Sequence, residues 1–77
     1  MARVRFFAAA EEAVGSDQQE RSEASLGELR AALLSEHPAL AAVLPRCAVL
    51  VDGARVDDAH PLGASTTVDV LPPFAGG

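Results

Sequence analysis

The sequence predicts a small α+β domain in which a mixed sheet of four to five strands packs on one main helix. A chain of 77 residues has room for one modest hydrophobic core. Apolar and polar residues alternate near both ends of the chain, as they do in half-buried strands. Between these segments lies one amphipathic stretch with clear helix start and stop signals.

The N-terminal part of the chain contains a strand, a short helical segment and an edge strand. The alternation over residues 2–7 predicts the first strand. Residues 8–14 are rich in helix formers and are followed by Gly15, which predicts a short helical turn with a glycine C-cap. The polar residues 18–23 predict an edge strand whose charges discourage pairing with another sheet.

The main helix is predicted from its cap and its apolar periodicity. Ser25 and Glu28 have the spacing of a capping box, in which the hydroxyl and the carboxylate each accept a hydrogen bond from a free N–H of the first turn. The helix should end near His37, because Pro38 disfavours helical geometry in the residue before it. The predicted core face consists of Leu26, Leu29, Ala32 and Leu33.

The C-terminal part is predicted to alternate between strands and turns. Its elements are a compact turn over residues 38–45, a central strand over 47–51, an Asp52-Gly53 hairpin turn, a brief return strand at Arg55-Val56, a loop over 57–65 and a last strand over 66–71. The whole order, with one helix to cover one sheet face, is that of the ubiquitin-like β-grasp fold. We therefore predict a domain over residues 1–71 and a projecting C-terminal tail over 72–77.

Composition narrows the class of partner. The net charge of −5 repels nucleic acid and anionic lipid, so proteins with basic surfaces are the expected partners. All six basic residues are arginines, and without lysine the chain offers no acceptor for isopeptide-linked copies of itself. The single cysteine, Cys47, excludes an internal disulfide and a four-cysteine metal site, and suggests a cytoplasmic protein. No apolar run approaches the roughly 20 residues that span a bilayer.

No side-chain constellation typical of catalysis or metal binding is found in the sequence. His37 and His60 have no neighbouring nucleophile, and Cys47 opens an apolar strand where core packing is expected. Two pairs of adjacent carboxylates occur, Glu11-Glu12 and Asp57-Asp58. They are interpreted as solvated surface charges without a role.

The terminal diglycine is the best candidate for chemistry. Gly76 and Gly77 lack side chains and can thread into an enclosed active site, while Pro72 and Pro73 stiffen the base of the tail. The Gly77 carboxylate needs activation, for example as a mixed anhydride with AMP, before a nucleophile can attack it. A frayed chain end is the alternative interpretation of a Gly-Gly terminus.

An apolar patch is predicted at the root of this tail. If Val4, Phe6, Val68 and Val70 face the helix, Phe7 and Leu71 face the other side of the sheet. Clustered apolar side chains on an uncovered face indicate a protein interface, although an imperfectly amphipathic sheet has the same pattern. The predicted partner-binding residues are Phe7, Leu50, Leu71, Pro72, Pro73, Phe74 and Ala75.

Several segments resemble the small subunit of molybdopterin synthase. They are Val4-Arg5-Phe6-Phe7-Ala8, Glu11-Glu12-Ala13-Val14-Gly15, His37-Pro38-Ala39-Leu40 and Val70-Leu71-Pro72-Pro73-Phe74-Ala75-Gly76-Gly77. The chain is also similar, less closely, to the thiamine-pathway sulfur carrier. Asp69 departs from this pattern, because family members often carry more apolar bulk in the last strand.

The resemblance implies a sulfur carrier that is not an enzyme on its own. An E1-like adenylating enzyme would consume ATP to activate Gly77, sulfur delivery would give a thiocarboxylate, and the tail would enter the large synthase subunit. There it would supply sulfur for the dithiolene of molybdopterin, made from cyclic pyranopterin monophosphate. No bound cofactor is implied.

Three alternatives stay open at this point. The chain is a sulfur carrier for thiazole or cysteine synthesis, or a ubiquitin-like modifier that forms isopeptide bonds with other proteins, or a β-grasp interaction module with an incidental Gly-Gly end.

Overall fold

The computed structural model describes residues 1–73 of the chain. Its elements follow the predicted order. They are β1 (Ala2–Phe6), α1 (Ala8–Val14), β2 (Gln18–Arg21), α2 (Leu26–Glu36), two 3₁₀ turns (Pro38–Ala42 and Leu44–Arg46), β3 (Ala48–Val51), β4 (Ala54–Arg55) and β5 (Thr67–Leu71). No helix among the described residues is long and apolar enough to cross a bilayer.

The strands form one five-stranded mixed sheet in the order β2-β1-β5-β3-β4. β1 and β5 are parallel, and the other neighbouring strands are antiparallel. The first and last strands are therefore paired, as the β-grasp pattern predicts. β3, predicted to be central, lies inside the sheet between β5 and β4, while the middle position belongs to β5.

One sheet face packs on α2 and the 3₁₀ turns to form the core. The strands contribute Val4, Phe6, Val49, Val51, Val68 and Val70, and the helical elements contribute Leu26, Leu29, Leu33, Leu40 and Leu44. Leu26, Leu29 and Leu33 of α2 are buried as predicted, and Ala32 is half-buried. Alternation along β1 and β5 thus places the apolar set of each strand toward the helix.

The start of α2 differs in one detail from the predicted capping box. The Ser25 hydroxyl oxygen accepts a hydrogen bond from the Glu28 N–H at 3.3 Å. The Glu28 carboxylate accepts from the Ser25 hydroxyl itself at 3.0 Å, so the carboxylate satisfies the hydroxyl proton and not a backbone N–H. The helix ends at Glu36 as expected, and the His37 N–H caps it on the Leu33 carbonyl oxygen at 2.8 Å.

The β3–β4 hairpin turns at Asp52 and Gly53, with φ of 49° and 84°. Positive φ at both central residues is what a two-residue type I′ turn requires. Because such a turn brings Ala54 opposite Val51, β4 covers Ala54–Arg55, and the predicted position at Arg55-Val56 was wrong by one residue.

An ion-pair cluster joins the edge strand β2 to the end of α2. The Arg21 guanidinium is 2.8 Å from the Glu23 carboxylate and 2.7 Å from the Glu36 carboxylate. Hydrogen bonds from Arg21 lower the pKa of both carboxyl groups. The cluster fixes the end of α2 relative to the sheet edge.

Candidate functional site

The root of the C-terminal tail lies where the parallel strands β1 and β5 both end. Phe6 is opposite Val70 in the register, and the Phe7 N–H donates to the Val70 carbonyl oxygen with an N···O distance of 3.3 Å. Leu71 is the last residue of β5 and leads directly into Pro72 and Pro73. The parallel pairing therefore brings the end of the first strand beside the start of the tail.

A groove with a volume of about 750 Å³ opens at this point. It is lined by Phe7, Ala8, Ala9, Glu11, Glu12, Leu71, Pro72 and Pro73. The Phe7 side chain is 39% exposed, while Leu71 and Pro72 are half-buried. Four of the predicted partner-binding residues thus lie together, and they are Phe7, Leu71, Pro72 and Pro73.

One wall of the groove is formed by Ala8, Ala9, Glu11 and Glu12 of α1. The chain turns from β1 into this helix at Ala8, whose φ of 49° is left-handed. The small side chains of Ala8 and Ala9 leave the groove open between Phe7 and the prolines. Gly15 ends the helix with φ of 86°, and its N–H caps the Glu11 carbonyl oxygen at 2.8 Å.

Leu50 lies on the same sheet face as Leu71 but outside the groove. The register places Leu50 opposite Asp69, and Ala48 opposite Leu71. Leu50 is half-buried. It therefore belongs to the neighbouring part of the open sheet face, one residue pair away from the root of the tail.

Asp69 puts a charge on the open face, and Arg5 compensates it. The guanidinium makes two hydrogen bonds to the carboxylate, at 2.6 and 2.9 Å. These bonds raise the pKa of Arg5, and the same guanidinium lies 5.8 Å from the centre of the Phe7 ring. The pair lets the part of the open face beside Phe7 and Leu71 contact an apolar surface without leaving the Asp69 carboxylate uncompensated.

The remaining predicted site residues are Phe74, Ala75, Gly76 and Gly77, which lie outside the described residues. Their roles stay predictions.

Other chemically interesting side chains do not line the groove. Cys47 is half-buried, its thiol donates to the Val43 carbonyl oxygen at 3.3 Å, and burial raises its pKa. Cys47 therefore packs against the core, as predicted. His37 caps α2, and His60 lies in the loop after β4, where its carbonyl oxygen accepts from the Leu26 N–H at 3.0 Å. Within residues 1–73 no cluster of three potential metal ligands is found.

Glu11 and Glu12 were missed by the sequence analysis, which treated adjacent carboxylates as surface charges without a role. Both are exposed and line the groove. A short helix directly after the first strand was the available signal, because in this fold it has to begin beside the last strand. Of the other pair, Asp58 contacts Arg30 at 3.0 Å, and neither Asp57 nor Asp58 lines the groove.

The sheet order, the packed helix and the tail after the last strand define the ubiquitin-like β-grasp class of proteins. A comparison with protein-family models agrees with this class. The model of the ThiS family matches residues 4–77, and the chain belongs to this family of ubiquitin-like sulfur carriers. A comparison with curated proteins finds no match.

Solved structures of similar proteins cover almost the whole chain. Subunit 1 in the complex of subunits 1 and 2 of the molybdopterin-converting factor from Helicobacter pylori is 30% identical, with a TM-score of 0.72 over 99% of this chain and 97% of that chain. The small archaeal modifier protein 1 from Haloferax volcanii is 25% identical, with a TM-score of 0.78 over 99% of this chain and 98% of that chain. A putative subunit 1 of the molybdopterin-converting factor from Pyrococcus furiosus is 20% identical, with a TM-score of 0.84 over 95% and 97%, and supports the fold alone.

Proposed function

We propose that this chain carries sulfur on its C-terminus and acts as the small subunit of a molybdopterin synthase. The observation that carries the proposal is the apolar groove at the root of the tail, formed by Phe7, Leu71, Pro72 and Pro73, in a chain of the ThiS family. An apolar surface beside a narrow diglycine end suits a protein that docks on a partner while its terminus enters the partner's active site.

The proposed chemistry takes place at Gly77. A carboxylate oxygen attacks the α-phosphorus of ATP on an adenylating enzyme, and pyrophosphate leaves. A sulfur nucleophile at the oxidation level of sulfide then forms a C–S bond with the acyl carbon while the bond to AMP breaks. The product is a Gly77 thiocarboxylate, and Gly76 lets it reach the reacting centre. The ATP belongs to the adenylating enzyme, and this chain itself holds no cofactor.

The proposed sulfur acceptor is cyclic pyranopterin monophosphate, bound by a large synthase subunit. Each dithiolene needs two sulfur atoms, so two thiocarboxylate chains act in turn and return as carboxylates. The catalytic side chains belong to the large subunit, and this chain contributes the sulfur and the docking surface. The similarity to the subunit in the Helicobacter pylori complex supports a partner of this kind.

Reconstitution with the large subunit tests this function. The thiocarboxylate form of the chain is mixed with the large subunit and cyclic pyranopterin monophosphate, and dithiolene formation is followed together with the mass of the chain. We expect molybdopterin to appear as the chain returns to its carboxylate form. The carboxylate form and a chain without Gly77 serve as controls. A thiocarboxylate that keeps its sulfur in the presence of a binding large subunit contradicts the molybdopterin assignment.

A ubiquitin-like modifier is the second candidate, supported by the 25% identity to the small archaeal modifier protein 1. In that case a lysine amine of another protein displaces AMP from Gly77 and an isopeptide bond forms. Because this chain has no lysine, conjugates would carry single copies and not lysine-linked chains. Trypsin cleaves after arginine and lysine, and the last such residue of this chain is Arg55. Lysines of other proteins that carry residues 56–77 as a remnant, found by mass spectrometry of tryptic peptides, would favour the modifier.

A further inference from the structure

The groove at the root of the tail combines an apolar floor with an acidic rim. Phe7, Leu71 and Pro72 contribute the apolar surface, and the exposed carboxylates of Glu11 and Glu12 stand on the α1 side. Neither glutamate belongs to an ion pair formed within residues 1–73. The rim therefore presents two uncompensated negative charges beside the tail.

Other charges on the sheet are largely compensated. Asp69 is held by Arg5 at 2.6 Å, and Glu20 lies 3.9 Å from Arg3. The chain as a whole has a net charge of −5. A surface that meets the groove consequently encounters the paired charges of Arg5 and Asp69 on one side and two carboxylates without an ion pair within residues 1–73 on the other. Arg55, which lies opposite Leu50 farther along the open face, also forms no ion pair within these residues.

We propose that Glu11 and Glu12 select the adenylating enzyme, by pairing with arginine or lysine side chains that flank an apolar residue seated in the groove. This inference rests on the proposed function, and it names the chemistry of the partner at the same site. From the sequence alone, these two glutamates have the pattern of solvated surface charges without a role.

Two features of the activation step favour pairing of the acidic rim with the adenylating enzyme, while the apolar floor of the groove also serves to dock on the large subunit. An enzyme that binds the triphosphate of ATP needs cationic groups at its active site. Four residues separate Pro73 from the reacting carboxylate, so the groove stays within roughly 14 Å of that site during the reaction. The acidic rim thus approaches a positively charged region, and complementary charges across an interface speed association and fix the orientation of the partners.

The test neutralises the rim and compares it with a matched change elsewhere. The variant Glu11→Gln/Glu12→Gln removes two charges at the groove. The control Glu20→Gln/Asp52→Asn removes two charges at the opposite end of the sheet, where Glu20 is paired with Arg3, and Asp52 accepts a hydrogen bond from the Thr67 N–H at 3.0 Å. Asparagine keeps this acceptor oxygen. Melting curves check that both variants are folded.

The measurement is the Kd between each chain and the adenylating enzyme, at low and at high salt. We expect the rim variant to bind about fivefold more weakly at low salt, as two exposed ion pairs would give. The difference should disappear near 1 M salt, where the screening length is about 3 Å. The control should bind as the wild type does within about twofold.

The outcomes separate this inference from the function on which it rests. Thiocarboxylate formation on the wild-type chain at saturating enzyme tests the function alone. Normal formation together with an unchanged Kd for the rim variant would overturn the inference and leave the function standing. If the wild-type chain does not bind the adenylating enzyme at all, both the inference and the proposed function are overturned.

Further measurements test two other occupants of the groove, a second copy of the chain and the chain's own tail. A concentration-dependent dimer of the wild-type chain, abolished by Phe7→Ser in sedimentation experiments, would assign the groove to a second copy. Shifts of the amide resonances of Ala8 and Ala9 on removal of residues 74–77 from the free chain would assign it to the chain's own tail. Either result would overturn the inference.

Discussion

Gly15 fixes the end of the helix that forms one wall of the groove. Its φ of 86° is a left-handed conformation in which a Cβ would be strained, although no neighbouring atom lies within 4 Å of the Cβ position. We expect Gly15→Ala to lower the free energy of unfolding by about 1 to 2 kcal/mol, from the backbone strain alone. Urea denaturation monitored by circular dichroism measures the change.

Gly63→Ala is the matched control for this prediction. Its φ lies outside the left-handed region, and an added Cβ would meet only Thr66 Oγ1 at 3.7 Å, an ordinary contact. This variant should be neutral or slightly stabilising, because alanine restricts the unfolded chain. An equal loss of stability in both variants would show that the loss does not arise from the left-handed backbone of Gly15.

Phe7 is the residue whose exposure is best explained by a partner. Truncation by Phe7→Ala should weaken binding to the large synthase subunit by about tenfold or more, as aromatic residues at the centre of interfaces do. Leu34→Ala is the control, because Leu34 on α2 is 38% exposed, almost the same as the 39% of Phe7, but lies away from the groove. Titration calorimetry gives both affinities. Similar losses for the two variants would argue against a specific docking role.

Individual site residues were predictable to different degrees. The period of two along β1 and β5 placed Phe7 and Leu71 on the uncovered side of the sheet, and the structure confirms this placement. The position of Glu11 and Glu12 depends on where α1 packs against the end of β5, which no local pattern shows. The pairing of Asp69 with Arg5 likewise depends on the register between strands that are distant in the sequence.

The cap of α2 makes a direct prediction for the main helix. Ser25→Ala removes the acceptor of the Glu28 N–H and should lower the free energy of unfolding by about 1 kcal/mol. Ser35→Ala, at an exposed position inside the same helix, should be neutral or slightly stabilising, since alanine is the better helix former. Chemical denaturation of both variants checks the contrast. If Ser25→Ala is as stable as the wild type, the Ser25–Glu28 hydrogen bond makes no net contribution to the free energy of unfolding.

The cluster between β2 and α2 should make stability depend on pH. Arg21 lowers the pKa of Glu23 and Glu36 in the folded chain. Such carboxyl groups stabilise the fold above their unfolded pKa of about 4.3, and the contribution is lost as pH falls through the lower folded values. We expect Arg21→Met to be less stable than the wild type at pH 7, and this difference to shrink between about pH 5 and pH 3.

Arg46→Met provides the control for the pH series. Arg46 is exposed and forms no ion pair within the part of the chain that the structure describes. The free energy of unfolding of Arg46→Met should differ little from that of the wild type at every pH. If the stability difference between Arg21→Met and the wild type does not change with pH, the packing of the Arg21 side chain holds β2 to α2, and its ion pairs do not.

The elements themselves were largely predictable, because each has a local signal. The Ser25 cap and Pro38 bound α2, and Gly15 bounds α1. The errors lie in strand bounds and in local contacts. The strands predicted over 2–7, 47–51 and 66–71 are each one residue shorter in the structure, and the edge strand predicted over 18–23 ends two residues earlier, at Arg21. β4 is displaced by one residue because a two-residue turn fixes which residue lies opposite Val51. The Glu28 carboxylate bonds the hydroxyl of Ser25 because the two side chains meet directly.

For the molecule as a whole, the parallel pairing of β1 with β5 connects fold to function. It places the end of the first strand beside the start of the tail, so one groove is built from residues at both ends of the chain. The β-grasp order was predictable from the sequence, and with it the neighbourhood of Phe7 and Leu71. The chemistry assigned to residues 74–77 rests on the diglycine pattern and on membership of the ThiS family.

Intact-mass spectrometry of the chain after incubation with ATP, a sulfide source and its adenylating enzyme examines the carrier role itself. We expect one oxygen to be replaced by sulfur, with fragmentation assigning the change to Gly77. A chain without Gly77 should remain unchanged. If the wild-type mass stays the same while the enzyme is active on another substrate, the chain is not a sulfur carrier and the groove serves a non-catalytic interaction.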